Sequence, residues 1–500
     1  MQLRMYGPAI VIGVLAMSTS VAGAQTERKA GKPTNVAVTI YNQGFGLIKE
    51  RRPMEIGAGR NRVIVEDVAA QIDPTSVSFK SITAPDAVTV REQNYLYDLI
   101  SPTVMLNKSL GKRVTIRQFL GGGQTKDTAG TIVSPVTAVV ANTGDDGGGS
   151  GTTYSGLIIR TDDGKLLINP PGQVILDEMP AGLIPRPQLV WLLDSDRAGA
   201  HDTEVSYMTQ GITWKADYVA TVSNDDKLVD ITGWVTLDNK SGATFTDANL
   251  QLVAGDVRRV QPPTPRRRAG VEMMAMEAGK AAGGFQEESF FEYHLYTLEG
   301  TTSVRDNEQK QMTLMNAAKV PAVKKLIYDG RRGFWGIGNP GYQPGEGYDT
   351  SNYKKVNVVV EIKNAKPSMG IPLPKGRMRM YKADSRGALQ FIGEDQIDHT
   401  PANETLKLYV GDSFDVVGEH KRTSFRRISD REVEEAFEVA VRNHRKEPAN
   451  VSVVEHLWAT WRIVEKSSEF VKKDASTVEF PVTVPPDGEV KVTYTVRTKW

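Results

Sequence analysis

The sequence predicts an all-β, multidomain protein that combines β-sandwich modules of the immunoglobulin-like type with one small barrel-like β unit. The first observation behind this prediction is the alternation of apolar and polar residues, as in VAVTIY at 36–41 and VDITGWVTLDN at 229–239. A period of two residues is typical of strands with one buried face. The second observation is that Gly, Asn, Asp and Pro recur between these segments, which favours turns. The third is the length of 500 residues, which is enough for about three domains.

The N-terminal residues 1–24 have the three parts of a secretory signal peptide. Arg4 supplies the positive start, residues 9–17 are apolar, and small residues lead to Ala24. The apolar run is much shorter than the roughly 20 residues that a membrane-spanning helix needs. We therefore predict cleavage after Ala24, no transmembrane helix in the mature chain, and export to the periplasm, the medium or the cell surface. An uncleaved N-terminal anchor is the alternative.

The predicted organisation of the first half follows composition along the chain. Residues 25–34 are polar and are predicted to be a flexible leader, and residues 35–100 are predicted to form an N-terminal β unit. Residues 101–188 are predicted to form the small barrel-like unit, because short strands with glycine turns suit a closed sheet that hides its edges. The Gly-rich segment 142–153 is predicted to be a surface loop within this unit.

From residue 189 onwards the alternating segments become longer, so residues 189–500 are predicted to form the main β-sandwich region. Two inserts interrupt this region. Segment 261–284 is rich in Pro, Arg, Met, Ala and Gly without any period, and it is predicted to be disordered. Segment 330–351 is rich in glycine and aromatic residues and is predicted to be an irregular loop.

Segment 432–442 fits two kinds of secondary structure. Val433, Ala436 and Ala440 follow helical spacing, whereas Phe437, Val439 and Val441 recur at every second position, as in a strand. A single helix would interrupt a long run of predicted strands. The prediction therefore favours a strand of a β-hairpin and keeps the helix as the alternative.

Several segments are similar to those of a known family. They are YMTQGITWKADY at 207–218, GWVTLDNKSGATFTDANLQLVAG at 233–255, PKGR at 374–377, FIGED at 391–395 and EFPVTVPPDGEVKVTY at 479–494. On these residues the chain resembles bacterial exported proteins that carry the DUF4139 domain, which are related to mucoidy-inhibitor-like proteins. The resemblance covers most of residues 35–500. It implies a mostly-β exported protein of unknown biochemical role, and it supplies no catalytic residues.

The sequence predicts no catalytic residues, no cofactor and no metal site. Its six histidines form neither a His-x-x-x-His nor a His-Glu-x-x-His motif, and no nucleophile-elbow or phosphate-loop motif occurs. Cysteine is absent, which excludes disulfides, thiolate catalysis and cysteine-ligated zinc. The chain has 61 Lys and Arg against 60 Asp and Glu, and this balance excludes a generic nucleic-acid binder with a large basic surface.

The candidate binding residues are aromatic side chains of the second insert: Phe334, Trp335, Tyr342 and Tyr348. Exposed aromatic residues on a loop favour binding to a glycan or to an envelope protein. The structural alternative is that these rings fold back and cap one end of a sandwich. The sequence thus predicts a non-enzymatic binding or scaffold protein that acts through loops at sandwich ends. The alternative function is an exported hydrolase whose site is assembled from distant Asp, Glu or His residues.

Overall fold

The computed structural model describes residues 26–120, 123–142, 151–259, 285–330 and 353–500. These residues contain 32 β-strands, one α-helix and one 3-10 turn, so the predicted all-β fold class is confirmed. They group into two compact units that are discontinuous in sequence. The first unit comprises the described residues up to 34 and those within 50–70 and 77–205. The second unit comprises the described residues within 35–49, 71–76 and 206–500. The predicted signal peptide and the insert 261–284 lie outside the described residues.

The elements up to residue 195 are short. In chain order they are β1 (Thr26–Lys29), β2 (Asn35–Tyr41), β3 (Phe45–Ile56), β4 (Gly59–Glu66), a 3-10 turn (Pro74–Ser76), β5 (Ser78–Ser81), β6 (Val88–Leu96), α1 (Pro102–Lys108), β7 (Arg113–Phe119), β8 (Thr125–Ile132), β9 (Ala138–Asn142), β10 (Gly151–Ser155), β11 (Ile158–Thr161), β12 (Leu166–Ile168), β13 (Gln173–Ile175) and β14 (Gln188–Ser195). Helix α1 begins where Ser101 caps it, because the Ser101 hydroxyl accepts a hydrogen bond from the Val104 N–H at 3.2 Å.

A four-stranded sheet of the first unit has the order β1-β4-β14-β6. Strand β14 lies inside this sheet, which explains why its sequence QLVWLLDS is almost continuously apolar. Trp191 on β14 is fully buried, and its indole N–H donates to Oε1 of Gln93 at 2.9 Å. A buried indole N–H needs such a partner, so this pair fixes the ring within the core.

A second sheet of the first unit has the order β12-β11-β8-β7-β13. Alternate residues of its strands, including Val114, Ile116, Ile132 and Ile159, form a common buried cluster with Leu106 of α1. Among the described residues the strand order is linear, with β12 and β13 at the two edges. The barrel-like unit predicted from the sequence is therefore corrected to an open five-stranded sheet, because its two edge strands do not pair with each other.

The remaining strands include most of the long ones, as the sequence predicted. They are β15 (Gly199–Gln210), β16 (Ile212–Val222), β17 (Leu228–Asn239), β18 (Phe245–Ala254), β19 (Phe285–Phe290), β20 (Tyr293–Leu298), β21 (Thr302–Val304), β22 (Glu308–Asp329), β23 (Lys355–Lys363), β24 (Gly376–Ala383), β25 (Leu389–Ile397), β26 (Thr405–Ser429), β27 (Glu432–Asn443), β28 (Ala449–His456), β29 (Thr460–Lys466), β30 (Val471–Lys472), β31 (Thr477–Val484) and β32 (Gly488–Lys499).

Most strands of the second unit belong to one large sheet with the order β25-β24-β16-β17-β22-β23-β26-β27-β32-β29. Strand β28 pairs with β22 and β31, and β30 pairs with β31. In the same unit, β18 pairs with β2 in parallel and with β20 in antiparallel orientation, and β20 in turn pairs with β19. The hairpin of β19 and β20 is thus attached to the unit through β18.

The C-terminal core lies where β27 and β32 face β28 and β31. The Tyr494 ring stacks between two others, with centroid distances of 5.2 Å to Phe437 and 5.4 Å to Phe480. Strand β27 buries every second residue over most of its length, including Phe437, Val439 and Val441. The predicted strand at 432–442 is therefore confirmed, and the helical alternative is wrong.

The second insert connects two paired strands. β22 ends at Asp329, β23 begins at Lys355, and the two strands are antiparallel with Ile327 opposite Asn357. The predicted binding residues of this insert, Phe334, Trp335, Tyr342 and Tyr348, lie outside the described residues.

Candidate functional site

The hairpin of β19 and β20 is both acidic and aromatic. Its sequence, FQEESFFEYHLYTLEG at 285–300, contains four glutamates, five aromatic residues and no Lys or Arg. Leu252 of β18 lies opposite Tyr296 of β20, and β19 forms the outer edge of the sheet. The hairpin therefore has four acidic side chains and no Lys or Arg within its own sequence to balance them.

The turn of this hairpin holds Phe291 in the left-handed backbone region. Its φ is 58°, and the residue is 81% exposed. Bulky L-residues avoid this region because the Cβ atom approaches the neighbouring backbone. The Phe291 ring lies 6.1 Å from the Tyr293 ring, measured between centroids. An exposed aromatic residue in an unfavourable conformation adds little to stability, so Phe291 is a candidate functional residue.

A cavity of about 400 Å³ lies beside the hairpin turn, and it is termed the hairpin cavity below. Its walls come from the hairpin, the C-terminal end of β18 and two loops. The lining residues are Ala254, Gly255, Ser289, Phe291, Glu292, Tyr293, His294, Tyr296, Pro372, Leu373, Pro374, His399, Thr400 and Pro401. Within the described part of the chain, this lining has one carboxylate and neither Lys nor Arg. Apolar and aromatic walls with a few polar groups are typical of ligand sites.

Gly255 allows the Tyr293 ring to form one wall of the hairpin cavity. A Cβ atom at position 255 would lie 2.4 Å from Cδ1 of Tyr293, which is closer than atoms can approach. The φ of Gly255 is 142°, a conformation that side-chain-bearing residues rarely adopt. Both observations require glycine at this position for the ring to lie where it does.

Glu287 and His294 form a buried pair beside the hairpin cavity. Nδ1 of His294 lies 2.7 Å from Oε1 of Glu287, and the Glu287 side chain is only 1% exposed. Because the carboxylate accepts, Nδ1 carries the proton that it donates, and Nε2 of a neutral His294 ring is left as an acceptor. The His294 side chain is 28% exposed and lines the cavity. Oε2 of Glu287 is buried without a hydrogen-bond partner among the described residues.

His399 has a different role, because both of its ring nitrogens have partners in the second unit. The backbone N–H of Lys375 donates to Nδ1 at 3.2 Å, and the side-chain amide of Asn42 lies 3.3 Å from Nε2. With Nδ1 accepting, a neutral ring carries its proton on Nε2. Asn42 must then present its amide oxygen, which has no hydrogen-bond partner as placed, in the position of the amide nitrogen near Nε2. Burial lowers the pKa of His399, and the positive charge of Lys375 lowers it further. His399 is therefore a neutral wall residue of the hairpin cavity.

A second cavity, of about 370 Å³, lies elsewhere in the same unit and includes Phe414. Phe414 is 94% exposed. Several charges of this cavity are paired within the protein, since Asp226 lies 2.8 Å from Lys324 and 2.5 Å from Lys382. Paired charges of this kind are already satisfied, so the second cavity gives weaker evidence for a ligand than the hairpin cavity does.

None of the residues of the hairpin cavity is predicted from the sequence as a site residue. His294 and His399 appeared only as histidines without a metal-binding spacing. One signal was available, namely the clustering of glutamates and aromatic residues without Lys or Arg at 285–300. The approach of Pro372 and His399 to this segment depends on the fold and has no local sequence signal.

Comparison with known families assigns residues 203–500, which include most of the second unit. The model of the family described as "Domain of unknown function (DUF4139)" matches residues 203–500. The chain belongs to the DUF4139 family. The family resemblance predicted from the sequence is thereby confirmed, and every lining residue of the hairpin cavity lies within the matched range. A search of the curated proteins found no match.

The described residues contain neither a candidate metal cluster nor a candidate membrane-spanning helix. Among the residues that the structure describes, no three His, Cys, Asp or Glu side chains are grouped so that they could hold a metal ion. In the same residues, no helix combines the length and the apolar character needed to span a lipid bilayer.

Proposed function

We propose that this protein is an exported cell-envelope protein that binds a ligand or partner in the hairpin cavity, without chemical conversion of what it binds. The observation that carries this proposal is Phe291 at the cavity, 81% exposed and with a φ of 58°. A residue held in a sparsely populated conformation persists when the surrounding structure enforces it, and such residues cluster at functional sites. Exposed aromatic residues are also enriched among the dominant contacts of binding surfaces.

The substitution Phe291→Gly tests this proposal without a confounding loss of stability. Glycine adopts a positive φ readily, so this variant is expected to fold while the exposed ring is removed. Purified wild type and variant are compared for capture of proteins and glycans from an envelope extract. Phe414→Ala is the matched control, because it removes another highly exposed ring at a different cavity. Capture that is lost in Phe291→Gly and retained in Phe414→Ala supports the proposal, and equal capture by all three proteins contradicts it.

Export is supported by the signal-like segment at 1–24. Cell fractionation and mass spectrometry of the mature N-terminus test it. A mature chain that starts at Gln25 and is recovered outside the cytoplasm is the expected result. A full-length chain in the cytoplasmic fraction contradicts export.

The aromatic residues Phe334, Trp335, Tyr342 and Tyr348 are proposed as a further contact for an envelope protein or a glycan. Support for them comes from composition, because aromatic residues on a glycine-rich loop suit recognition of a glycan or a protein. Their contribution can be separated from that of the hairpin cavity by deletion of the insert, as described in the Discussion.

Hydrolysis is a second candidate function, and one specific observation favours it. His294 pairs with the buried carboxylate of Glu287 at 2.7 Å. In this geometry the carboxylate orients the His294 ring, as it would orient a general base. In this candidate, Nε2 of His294 accepts a proton from the attacking water. A broad hydrolase screen with wild type and Glu287→Gln, with and without a chelator, tests it. Turnover that disappears in Glu287→Gln would favour the hydrolase over the binding protein.

A further inference from the structure

We propose that the hairpin cavity selects ligands that carry a cationic N–H donor, that is, a guanidinium or a primary ammonium group. This inference rests on the proposed binding function and specifies the chemistry of the ligand. Three features of the cavity lead to it: its charge, its hydrogen-bonding groups and its aromatic walls.

The charge of the site is negative. Glu292 lines the cavity, and the described lining contains no Lys or Arg. Behind the lining, the Glu287 side chain is 1% exposed, and its hydrogen-bond partner in the described structure is His294. Lys375, in the adjoining loop, lies 3.5 Å from the carboxylate of Asp256. Among the described residues, neither the Glu287 nor the Glu292 carboxylate has a Lys or Arg partner, so a cation would be attracted to the cavity.

Glu292 and His294 offer hydrogen-bond acceptors at the cavity. The Ser289 and Tyr293 hydroxyls of the same lining can donate as well as accept. Nδ1 of His294 donates to Oε1 of Glu287, so in a neutral ring Nε2 presents a lone pair. The exposed carboxylate of Glu292 is likewise an acceptor. Acceptors of this kind match a ligand that brings N–H donors, and they disfavour an anionic ligand.

The aromatic walls suit a cation as well. The Phe291 and Tyr293 rings are 6.1 Å apart at an interplanar angle of 48°, so they form two sides of a corner. The face of an aromatic ring attracts a cation through its quadrupole, and a planar guanidinium also stacks on such a face. A neutral sugar or peptide could use the same rings. It would leave the negative charge of Glu292 and Glu287 without compensation.

Calorimetric titration of the full-length mature protein with three small probes tests this inference. The probes are N-acetyl-arginine amide, N-acetyl-lysine amide and N-acetyl-citrulline amide, the last being a neutral analogue of the arginine compound. We expect at least one cationic probe to bind about tenfold more tightly than the citrulline compound, and binding to weaken with added salt. Comparison of the arginine and lysine compounds distinguishes guanidinium from ammonium as the preferred group.

Two matched variants locate the effect. Glu292→Gln removes the carboxylate of the lining, and we expect it to weaken binding of the cationic probe about tenfold. Glu288→Gln changes an exposed neighbouring glutamate of β19 that is absent from the described cavity lining, and we expect binding to remain unchanged. Phe291→Gly should also weaken binding.

The outcomes separate the inference from the proposed function. Citrulline amide that binds as tightly as the cationic compounds, or equal binding by wild type and Glu292→Gln, overturns the inference. No binding by any of the three probes overturns it as well. The proposed function survives each of these results if envelope capture still depends on Phe291, and it fails separately if that capture is unaffected by Phe291→Gly.

Discussion

The backbone N–H of Lys375 donates a hydrogen bond to Nδ1 of His399 at 3.2 Å. A protonated imidazole donates from both nitrogens, so protonation of His399 would break this bond. The interaction therefore holds one wall of the hairpin cavity only while His399 is neutral. Burial of the ring acts in the same direction, since it lowers the pKa of His399.

This relationship predicts a specific loss of stability in mild acid. In the unfolded chain His399 takes up a proton near pH 6.5, whereas in the folded protein it does so only at a lower pH. The free energy of unfolding is thus unaffected by His399 above about pH 6.5 and decreases as the pH falls below that value. Thermal unfolding between pH 8 and pH 5 measures the effect.

The variant His399→Gln provides the comparison, because its amide oxygen can accept the Lys375 N–H without titrating. We expect the variant to lose part of the pH dependence of the wild type. Replacement of the exposed His444 by Gln is the control and should leave the pH dependence unchanged. A His399→Gln profile that coincides with that of the wild type would refute the neutral role of this ring.

Gly255→Ala is predicted to destabilise the protein by about 1–3 kcal/mol, because the added methyl group meets the Tyr293 ring and the backbone φ of 142° is strained. Chemical denaturation measures the change. Gly300→Ala is the control at the end of the same hairpin, since its φ is 80° but no atom lies within 4 Å of the added Cβ. We expect the smaller loss, about 1 kcal/mol, in that variant. Equal losses in both variants would mean that the contact with Tyr293 has no energetic role.

Removal of residues 331–351 is predicted to leave the melting temperature within about 2 °C of the wild type. The pairing of β22 with β23 continues to Ile327 and Asn357, so the strands on both sides are complete without the insert. The deletion keeps Gly330, because this residue packs closely against His420. Differential scanning calorimetry measures the melting temperature.

The same deletion tests the predicted role of Phe334, Trp335, Tyr342 and Tyr348. Weaker capture of an envelope partner, at unchanged stability, is the expected result if these rings contact it. Capture equal to that of the full chain would assign recognition to other parts of the protein. Comparison with Phe291→Gly shows whether the hairpin and the insert act on the same partner.

The sequence allows the strand content to be predicted well, because burial on one face imposes alternation. In β27, Phe437, Val439 and Val441 alternate as a strand requires, and the structure buries all three. Whether a sheet closes into a barrel is not indicated by the alternation of residues within single strands. The strands of the small unit have suitable lengths for a barrel, but whether β12 pairs with β13 depends on twist and register along the whole sheet.

The hairpin cavity could not be predicted from the sequence, for two physical reasons. Its turn contains Phe291 at a positive φ, whereas turns are recognised by Gly, Asn or Asp at such positions. Unless the turn is recognised, no local sequence pattern indicates that Glu287 and His294 lie close together across the hairpin. The other walls, including Gly255 and His399, come from segments that only the sheet brings together.

The most direct test of the account is site-specific photocrosslinking in intact cells. The photoreactive residue p-benzoylphenylalanine replaces Phe291 in one strain and Phe414 in a control strain, since both positions are exposed aromatic residues. The account predicts a discrete crosslinked species from position 291 that is absent from position 414. Crosslinking that is absent at position 291, or identical at the two positions, would contradict the claim that the hairpin cavity is the binding site.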